Sequence, residues 1–279
     1  MAPSQISKLF FGRITGSVRL RGRALGTILS KLHLGKAVLK RTLFVAAAAA
    51  FVAGSTMAKS PFEGAYVEVA TGYQKTSVGS VTANNMDGGG AYSMIAPAQS
   101  TGKTPLMLGL GYTVSVAPQF VFGLGAQYQA IRSTSSTTTF IVPEGCSGQC
   151  GGTQYQISNQ YSIFVAPGYA IDQDRLAYFK VGYSSQTVQS SYQQGHANDP
   201  ANGASFGTSV VSGYILGIGY KQMIAGGLYG FLEGNYYGYG KASFNNSLNN
   251  GVGKVQTTVS GYNPLSSALN FLVGAGYAF

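Results

Sequence analysis

The 279-residue sequence lacks several features that would assign it to common classes of protein. It has no uninterrupted apolar run of the about 18 residues that a membrane-spanning helix needs, although 45% of its residues are hydrophobic. Only 9% of the residues are charged, tryptophan is absent, and the 40 glycines follow no three-residue period, which excludes a collagen-like chain. An apolar chain without long apolar runs must alternate apolar with small or polar residues, as strands do.

Cysteine is too scarce to build a zinc site. Cys146 and Cys150 are the two cysteines; they lie in the segment CSGQC, and no histidine is near them in the sequence. Four zinc ligands cannot be assembled locally, so the sequence predicts no metal and no cofactor. In an oxidising compartment we expect Cys146 and Cys150 to form a small loop disulfide, with two free thiols as the alternative.

Acidic residues are missing from one part of the chain, which changes the meaning of its net charge of +10. Residues 1–58 contain nine Lys and Arg and no Asp or Glu. The remaining residues contain the other nine Lys and Arg and all eight Asp and Glu, so their net charge is +1. Without a basic stripe for phosphate groups, we predict that the domain at 59–279 does not bind nucleic acid.

Residues 1–58 predict a basic leader that ends in a cleaved signal peptide. The apolar block at 43–54 follows a basic region, and small residues follow the block, so cleavage is expected after Ala58. The block is short for a bilayer span, which makes an uncleaved anchor the minor alternative. Residues 1–35 exceed an ordinary basic region, and either an extended signal or a downstream start codon would explain them. The Ala-rich block favours a bacterial envelope over a mitochondrial transit peptide.

Beyond the leader, the sequence alternates with a period of two in segments that long polar stretches and short turns separate. The clearest hairpin joins 105–116 to 119–131 across Ala117 and Pro118. The predicted strands are 64–74, 105–116, 119–131, 156–170, 176–185, 208–221, 228–239 and 268–279. The predicted long loops are 75–104, 132–155, 186–205 and 240–266. Eight strands with long loops at one end and short turns at the other are typical of an even-stranded transmembrane barrel.

Four charged residues fall on the small or polar face of these strands, namely Glu68, Lys180, Lys221 and Glu233. A charged side chain against lipid is costly, so we assign this face to the barrel lumen. The lumen of an eight-stranded barrel is just wide enough for side chains to fill it. We therefore expect the four residues to meet as a buried polar network with a structural role; a proton or ion path is the alternative.

The final segment, ALNFLVGAGYAF at 268–279, alternates residue by residue and ends on an aromatic residue. Gly274, Tyr277 and Phe279 resemble the C-terminal signature of bacterial outer-membrane barrels, which the barrel-assembly machinery recognises. Leu272 departs from that signature, since a polar residue usually stands there.

With its strand count, its lumen charge at Glu68 and this ending, the domain at 59–279 is similar to the small eight-stranded OmpA/OmpX and opacity-type surface proteins. The resemblance implies an all-β, membrane-spanning, antiparallel up-and-down β-barrel of eight strands. It also implies a monomer in contact with outer-membrane lipid, located in the bacterial outer membrane, with periplasmic termini and four extracellular loops.

The composition of the long loops bears on function. Ser, Thr, Asn, Gly and Tyr dominate them, and these groups suit recognition of host surface molecules, although loops that only stay soluble are the alternative. We predict a surface protein with a structural or adhesin-like role and no enzymatic activity. The alternatives are a narrow channel for small solutes and a lipid-modifying enzyme. The enzyme is disfavoured because His196 and Asp199 lie in one loop that does not hold them in a catalytic geometry.

Overall fold

The computed structural model describes residues 60–87, 90–143, 151–193, 205–249 and 256–279, all within one compact unit, Ser55–Phe279. The predicted leader at 1–58 lies outside the described residues, as do Cys146, Cys150 and His196. None of the residues in these ranges forms a helix that is long and apolar enough to cross a membrane.

Strands make up most of the described chain. In order they are β1 (Gly64–Val78), β2 (Val81–Asp87), β3 (Gly90–Ala96), β4 (Gln99–Lys103), β5 (Leu106–Ala117), β6 (Phe120–Gln129), β7 (Ser133–Thr134), β8 (Thr138–Thr139), β9 (Gly152–Ala170), β10 (Arg175–Gln193), β11 (Ser205–Ala225), β12 (Leu228–Lys241), β13 (Phe244–Asn249), β14 (Gln256–Tyr262) and β15 (Leu265–Ala278).

Eight of these strands close into a ring in the order β1, β5, β6, β9, β10, β11, β12 and β15, and every neighbouring pair is antiparallel. The terminal strand β15 closes the ring between β1 and β12. Glu68 lies opposite Gly276 on one side of β15, and Glu233 lies opposite Leu272 on the other. The predicted fold class, an antiparallel up-and-down barrel of eight strands, is confirmed.

One end of the barrel carries tight turns. They lie at 118–119, 171–174 and 226–227, and the backbone amide of Phe279 bonds to Ala65 O at the same end. Gly226 and Gly227 have φ of 55° and 87°, the left-handed conformation that a two-residue hairpin turn requires and that glycine adopts without strain. Short turns mark the periplasmic end of such barrels, so the long connections are extracellular.

The outer face of the ring is apolar and bounded by aromatic side chains. Six exposed tyrosines on six ring strands form the extracellular level, which we call the tyrosine girdle: Tyr73, Tyr128, Tyr161, Tyr183, Tyr214 and Tyr236. Phe120 packs on Tyr169, and Tyr277 on Phe279, at the other level. Tyr169 lies eight positions after Tyr161 on β9, which is about 27 Å of strand path. Tilted barrel strands of that length span about 20 Å, close to the apolar band of an outer-membrane barrel.

Several ring strands continue beyond the tyrosine girdle, so the predicted loops were too long. β10 runs through 186–193, and β9 begins at Gly152, although the sequence predicts loops there. β2 to β4 and β13 to β14 likewise occupy parts of the predicted loops 75–104 and 240–266. The reason is physical: beyond the membrane the outward face meets water, so an apolar outward parity is no longer required.

Ile157 points inward, whereas the alternation predicts that it points toward lipid. Asn159 has a φ of 51°, and the β9–β10 pairing shifts register by one residue at this point. Such a bulge reverses the parity of the strand beyond it. Ile157 is therefore buried at 2% exposure above the bulge, while Gln160 is buried below it.

The extracellular connections also form a second sheet. Its order is β13, β14, β2 and β3, and β14 pairs with β2 through Val259 opposite Asn85. This pairing joins the first long connection of the chain to the last. An isolated bridge between Ile95 and Ile141 ties the connection after β6 to β3.

Candidate functional site

The barrel lumen contains one ion pair near its periplasmic end. Lys221 Nζ lies 2.6 Å from Glu68 Oε1, and Tyr229 Oη donates a hydrogen bond of 2.9 Å to the same oxygen. The ammonium also lies 4.3 Å from the ring centroid of Tyr66. The Glu68 carboxylate and the aromatic face of Tyr66 thus compensate the buried cation, which would otherwise cost several kcal/mol.

A second ion pair lies farther up the lumen. Lys180 Nζ is 2.6 Å from Glu233 Oε1, and both side chains are 1% exposed. Tyr178 Oη donates to Glu233 Oε2 at 2.7 Å, and Asn235 Nδ2 donates to Oε1 at 2.6 Å. Both carboxylate oxygens are therefore satisfied, and Lys180 also stacks 4.1 Å over the ring of Phe164.

The structure brings the four predicted lumen charges together as two pairs, each joining strands that are distant in sequence. Glu68 on β1 meets Lys221 on β11, and Lys180 on β10 meets Glu233 on β12. Two acids and two lysines leave the set without net charge. The alternation predicted that these residues share the lumen, but it could not predict which acid pairs with which lysine.

A chain of amide groups crosses the lumen above the second pair. Asn235 donates to Asn270 Oδ1 at 2.9 Å, and Asn270 donates to Gln74 Oε1 at 3.4 Å. Gln74 in turn donates to Gln160 Oε1 at 3.2 Å. The four amides come from β12, β15, β1 and β9, so the chain spans the ring. Sequence reasoning assigned no role to this chain, although the inward parity of its members is visible in the sequence.

Little space remains around these groups. The cavity between the two ion pairs measures about 20 Å³, room for about one water molecule. The periplasmic end is covered by Phe62, which is buried and packs edge-on to Tyr229 at 6.1 Å between ring centroids. Glycine makes room for the rings: a Cβ at Gly219 would lie 2.1 Å from Tyr178 Cζ. The polar network is therefore packed, with an apolar layer beneath it.

An aromatic cluster, which we call the extracellular cap, fills the other end. Its buried members come from the β8–β9 connection, β9, β11, β13 and β14: Phe140, Tyr155, Phe206, Phe244 and Tyr262. Phe206 lies 6.1 Å from Phe140 and 5.8 Å from Tyr262, and the hydroxyls of Tyr155 and Tyr262 are in direct contact. Burial raises the pKa of both tyrosines, which keeps them neutral. Inward apolar residues from six ring strands continue the cluster across the lumen. With Phe62 at the periplasmic end, the described side chains therefore close the lumen at both ends.

The three residues of the C-terminal signature lie on β15 and at its end. Tyr277 and Phe279 face outward in edge-to-face contact, with ring centroids 5.0 Å apart. Gly274 has a role in packing: a Cβ there would lie 2.5 Å from the Phe231 ring and from Val69 O. Leu272 points into the lumen, opposite Glu233, and is buried in a cluster with other apolar residues. The apolar side chain at this position therefore fits its surroundings.

The described ranges contain no group of three or more His, Cys, Asp or Glu side chains that could hold a metal ion. The predicted disulfide between Cys146 and Cys150 lies outside those ranges and stays a prediction.

No protein-family model matches the sequence, and no curated protein is similar to it by sequence. Among solved structures, the matches are outer-membrane proteins. The outer membrane protease OmpT of Escherichia coli is 11% identical, with a TM-score of 0.46 over 81% of this chain and 100% of that one. OprG of Pseudomonas aeruginosa is 12% identical, with a TM-score of 0.43 over 79% and 99%. Ail, the attachment invasion locus protein of Yersinia pestis, solved with the heparin analogue sucrose octasulfate, is 11% identical, with a TM-score of 0.37 over 77% and 99%.

At these identities and scores the likeness carries no argument. The assignment of the fold rests on the strand pairing and on the apolar outer face. A closed ring of eight antiparallel strands, with a packed polar lumen and an apolar band between two aromatic levels, belongs in a bacterial outer membrane. The chain is an eight-stranded β-barrel of the outer-membrane type.

Proposed function

We propose that this chain is a non-conducting surface protein, structural or adhesin-like, that presents its extracellular strands to partners outside the cell. The observation that carries the proposal is the pairing of the first and last long connections into one four-stranded sheet. Fixing a backbone costs about 1–2 kcal/mol per residue in conformational entropy. Connections that only had to remain soluble would gain nothing from that order.

The chemistry of this sheet supports recognition through hydrogen bonds. Thr82 and Asn84 on β2 are exposed, and Ser93 on β3 donates to Asn84 Oδ1 at 3.4 Å. Neutral hydroxyl and amide groups suit binding of host glycans or proteins. A partner class of uncharged, hydrogen-bonding surfaces fits these groups better than a strongly charged polymer.

The adhesin-like role can be tested by replacing residues 81–96, which contain β2 and β3, with a short Gly-Ser linker. We expect bacteria that display this variant to lose adhesion to the epithelial or matrix surface that the wild type binds. Adhesion is counted per cell and normalised to surface display of an epitope tag. The matched control replaces the periplasmic turn at 171–174, which leaves the extracellular sheet intact. Wild-type adhesion by the 81–96 variant would contradict the adhesin-like role and leave the structural one.

The channel alternative makes the opposite prediction in planar bilayers. We expect neither the wild type nor Glu233→Gln to give discrete single-channel steps, because the extracellular cap closes the lumen above the ion pairs and Phe62 covers it below them. A large porin in the same bilayer is the positive control. Steps in the wild type that change size in Glu233→Gln would support a solute path through the lumen instead.

We propose no catalytic activity for this protein. An enzymatic role for His196 and Asp199 stays an untested alternative, since both lie outside the described residues. Recognition of Gly274, Tyr277 and Phe279 by the barrel-assembly machinery likewise stays a prediction.

A further inference from the structure

A groove of about 420 Å³ lies on the outer face of the barrel, immediately above the tyrosine girdle. Its walls come from β1, β4 and β15, and Lys75 and Leu265 are among the residues that line it. Lys75 is exposed and lies two residues beyond Tyr73, on the same outward parity of β1. The groove is therefore level with the headgroups of the outer leaflet.

Three serines form a row across this groove. Ser77 on β1 lies opposite Ser100 on β4 and opposite Ser267 on β15, so the three share one face of the sheet. None of their hydroxyls has a hydrogen-bond partner among the described residues, and none is buried. A row of free hydroxyls can donate to and accept from a ligand with several oxygen atoms.

Lys75 supplies a positive charge directly below this row. The next row on the same outward face, two residues closer to the membrane along β1, contains Gly102, Lys75 and Leu269. Lys75 forms no ion pair with any acidic side chain that the structure describes. Of the acids whose side chains are described, Glu63, Asp172 and Asp174 lie at the periplasmic end, and Glu68 and Glu233 lie in the lumen; the side chain of Asp87 is outside that description.

We propose that this groove binds the phosphorylated saccharide headgroup of an outer-leaflet glycolipid. Lys75 pairs with the phosphomonoester, and Ser77, Ser100 and Ser267 bond to the sugar hydroxyls. The same chemistry would accept a free sugar phosphate or inorganic phosphate. The position favours the lipid, because the acyl chains of a bound glycolipid would lie on Tyr73, Leu269 and Phe271, which face the membrane. Anchoring in the membrane also raises the effective concentration of the headgroup at the groove.

The site is independent of the adhesin-like role, since it lies at the membrane border and does not involve the β2–β3 hairpin. Loss of adhesion in the 81–96 variant would leave lipid binding at the groove unchanged. Loss of lipid binding in Lys75→Gln would leave adhesion unchanged.

The test uses Lys75→Gln, with Lys103→Gln as the matched control. Lys103 is an exposed lysine on β4 opposite Gln74, one residue away from the row of Lys75, and it does not line the groove. The folded proteins are purified from mixed micelles of phosphatidylcholine and lipid A, and the retained lipid A is measured by mass spectrometry. We expect Lys75→Gln to retain about tenfold less lipid A than the wild type, the size of one charge-assisted hydrogen bond. We expect Lys103→Gln to match the wild type.

Two further arms identify the ligand. With lipid A whose phosphates have been removed, the wild type and Lys75→Gln should retain equal amounts, and the triple variant Ser77→Ala, Ser100→Ala, Ser267→Ala should retain less than either. Equal retention of intact lipid A by Lys75→Gln and the wild type would overturn the proposal. Displacement of lipid A by inorganic phosphate alone, as effectively as by the free phosphorylated disaccharide, would overturn the glycolipid assignment.

Discussion

Replacing Glu233 by glutamine is expected to destabilise the barrel by about 3–5 kcal/mol, because the Lys180 ammonium would stay buried without its carboxylate. The pair is 1% exposed, and Tyr178 and Asn235 donate to the same carboxylate, so three partners lose their acceptor charge together. The free energy of unfolding is measured by urea titration of the protein in micelles. Far-UV circular dichroism and electrophoretic mobility report unfolding, since the chain has no tryptophan.

A double-mutant cycle separates the ion pair from the packing around it. Lys180→Met alone should also destabilise, whereas the double variant should be less destabilised than the sum of the two single changes. Glu63→Gln is the control, because Glu63 lies outside the barrel wall, before β1, and forms no ion pair among the described residues. If Glu233→Gln unfolded at the wild-type urea concentration, the structural role of the pair would be wrong.

Gly219→Ala is expected to destabilise the barrel by about 1–3 kcal/mol through overpacking of the lumen. The new methyl group would lie 2.1 Å from Tyr178 Cζ and 2.4 Å from its hydroxyl, so the ring must move. Its hydrogen bond to Glu233 would then lengthen or break. The same urea titration measures the change in unfolding free energy.

Gly230→Ala is the matched control for this change. Gly230 lies on the neighbouring strand β12 at an outward position, and the nearest atoms to its Cβ are 3.9 Å away. Ala at this position should be neutral or slightly stabilising, because it restricts the unfolded chain. An equal change in unfolding free energy for Gly219→Ala and Gly230→Ala would contradict the role of Gly219 in making room for the Tyr178 ring.

Much of the barrel could be predicted because its two faces contact different environments. Lipid selects bulky apolar residues at positions such as Val69 and Ile163, and the crowded lumen selects glycine and polar residues, so a period of two is visible. That contrast ends at the tyrosine girdle. Above the girdle the outward face meets water, so apolar residues are no longer required there. The strand at 186–193 therefore cannot be distinguished from a loop in the sequence.

The bulge at Asn159 shows a second limit of the alternation. A single inserted residue reverses the parity of everything beyond it, yet Asn is compatible with an ordinary strand, a turn or a left-handed conformation. The alternation over 156–170 therefore predicts that Ile157 faces lipid. The shift is visible only when β9 is paired with β10.

The sequence by itself determined the class of the fold, the number of ring strands, the closing position of β15 and the four charges that share the lumen. Each follows from local alternation and from the cost of placing a charge against lipid. Tertiary structure alone decided that Lys221 meets Glu68 and Lys180 meets Glu233, that the extracellular cap closes the barrel, and that Ser77, Ser100 and Ser267 form one row. These contacts depend on strand register between segments far apart in the chain, and a period of two specifies the face of a residue but not its neighbour.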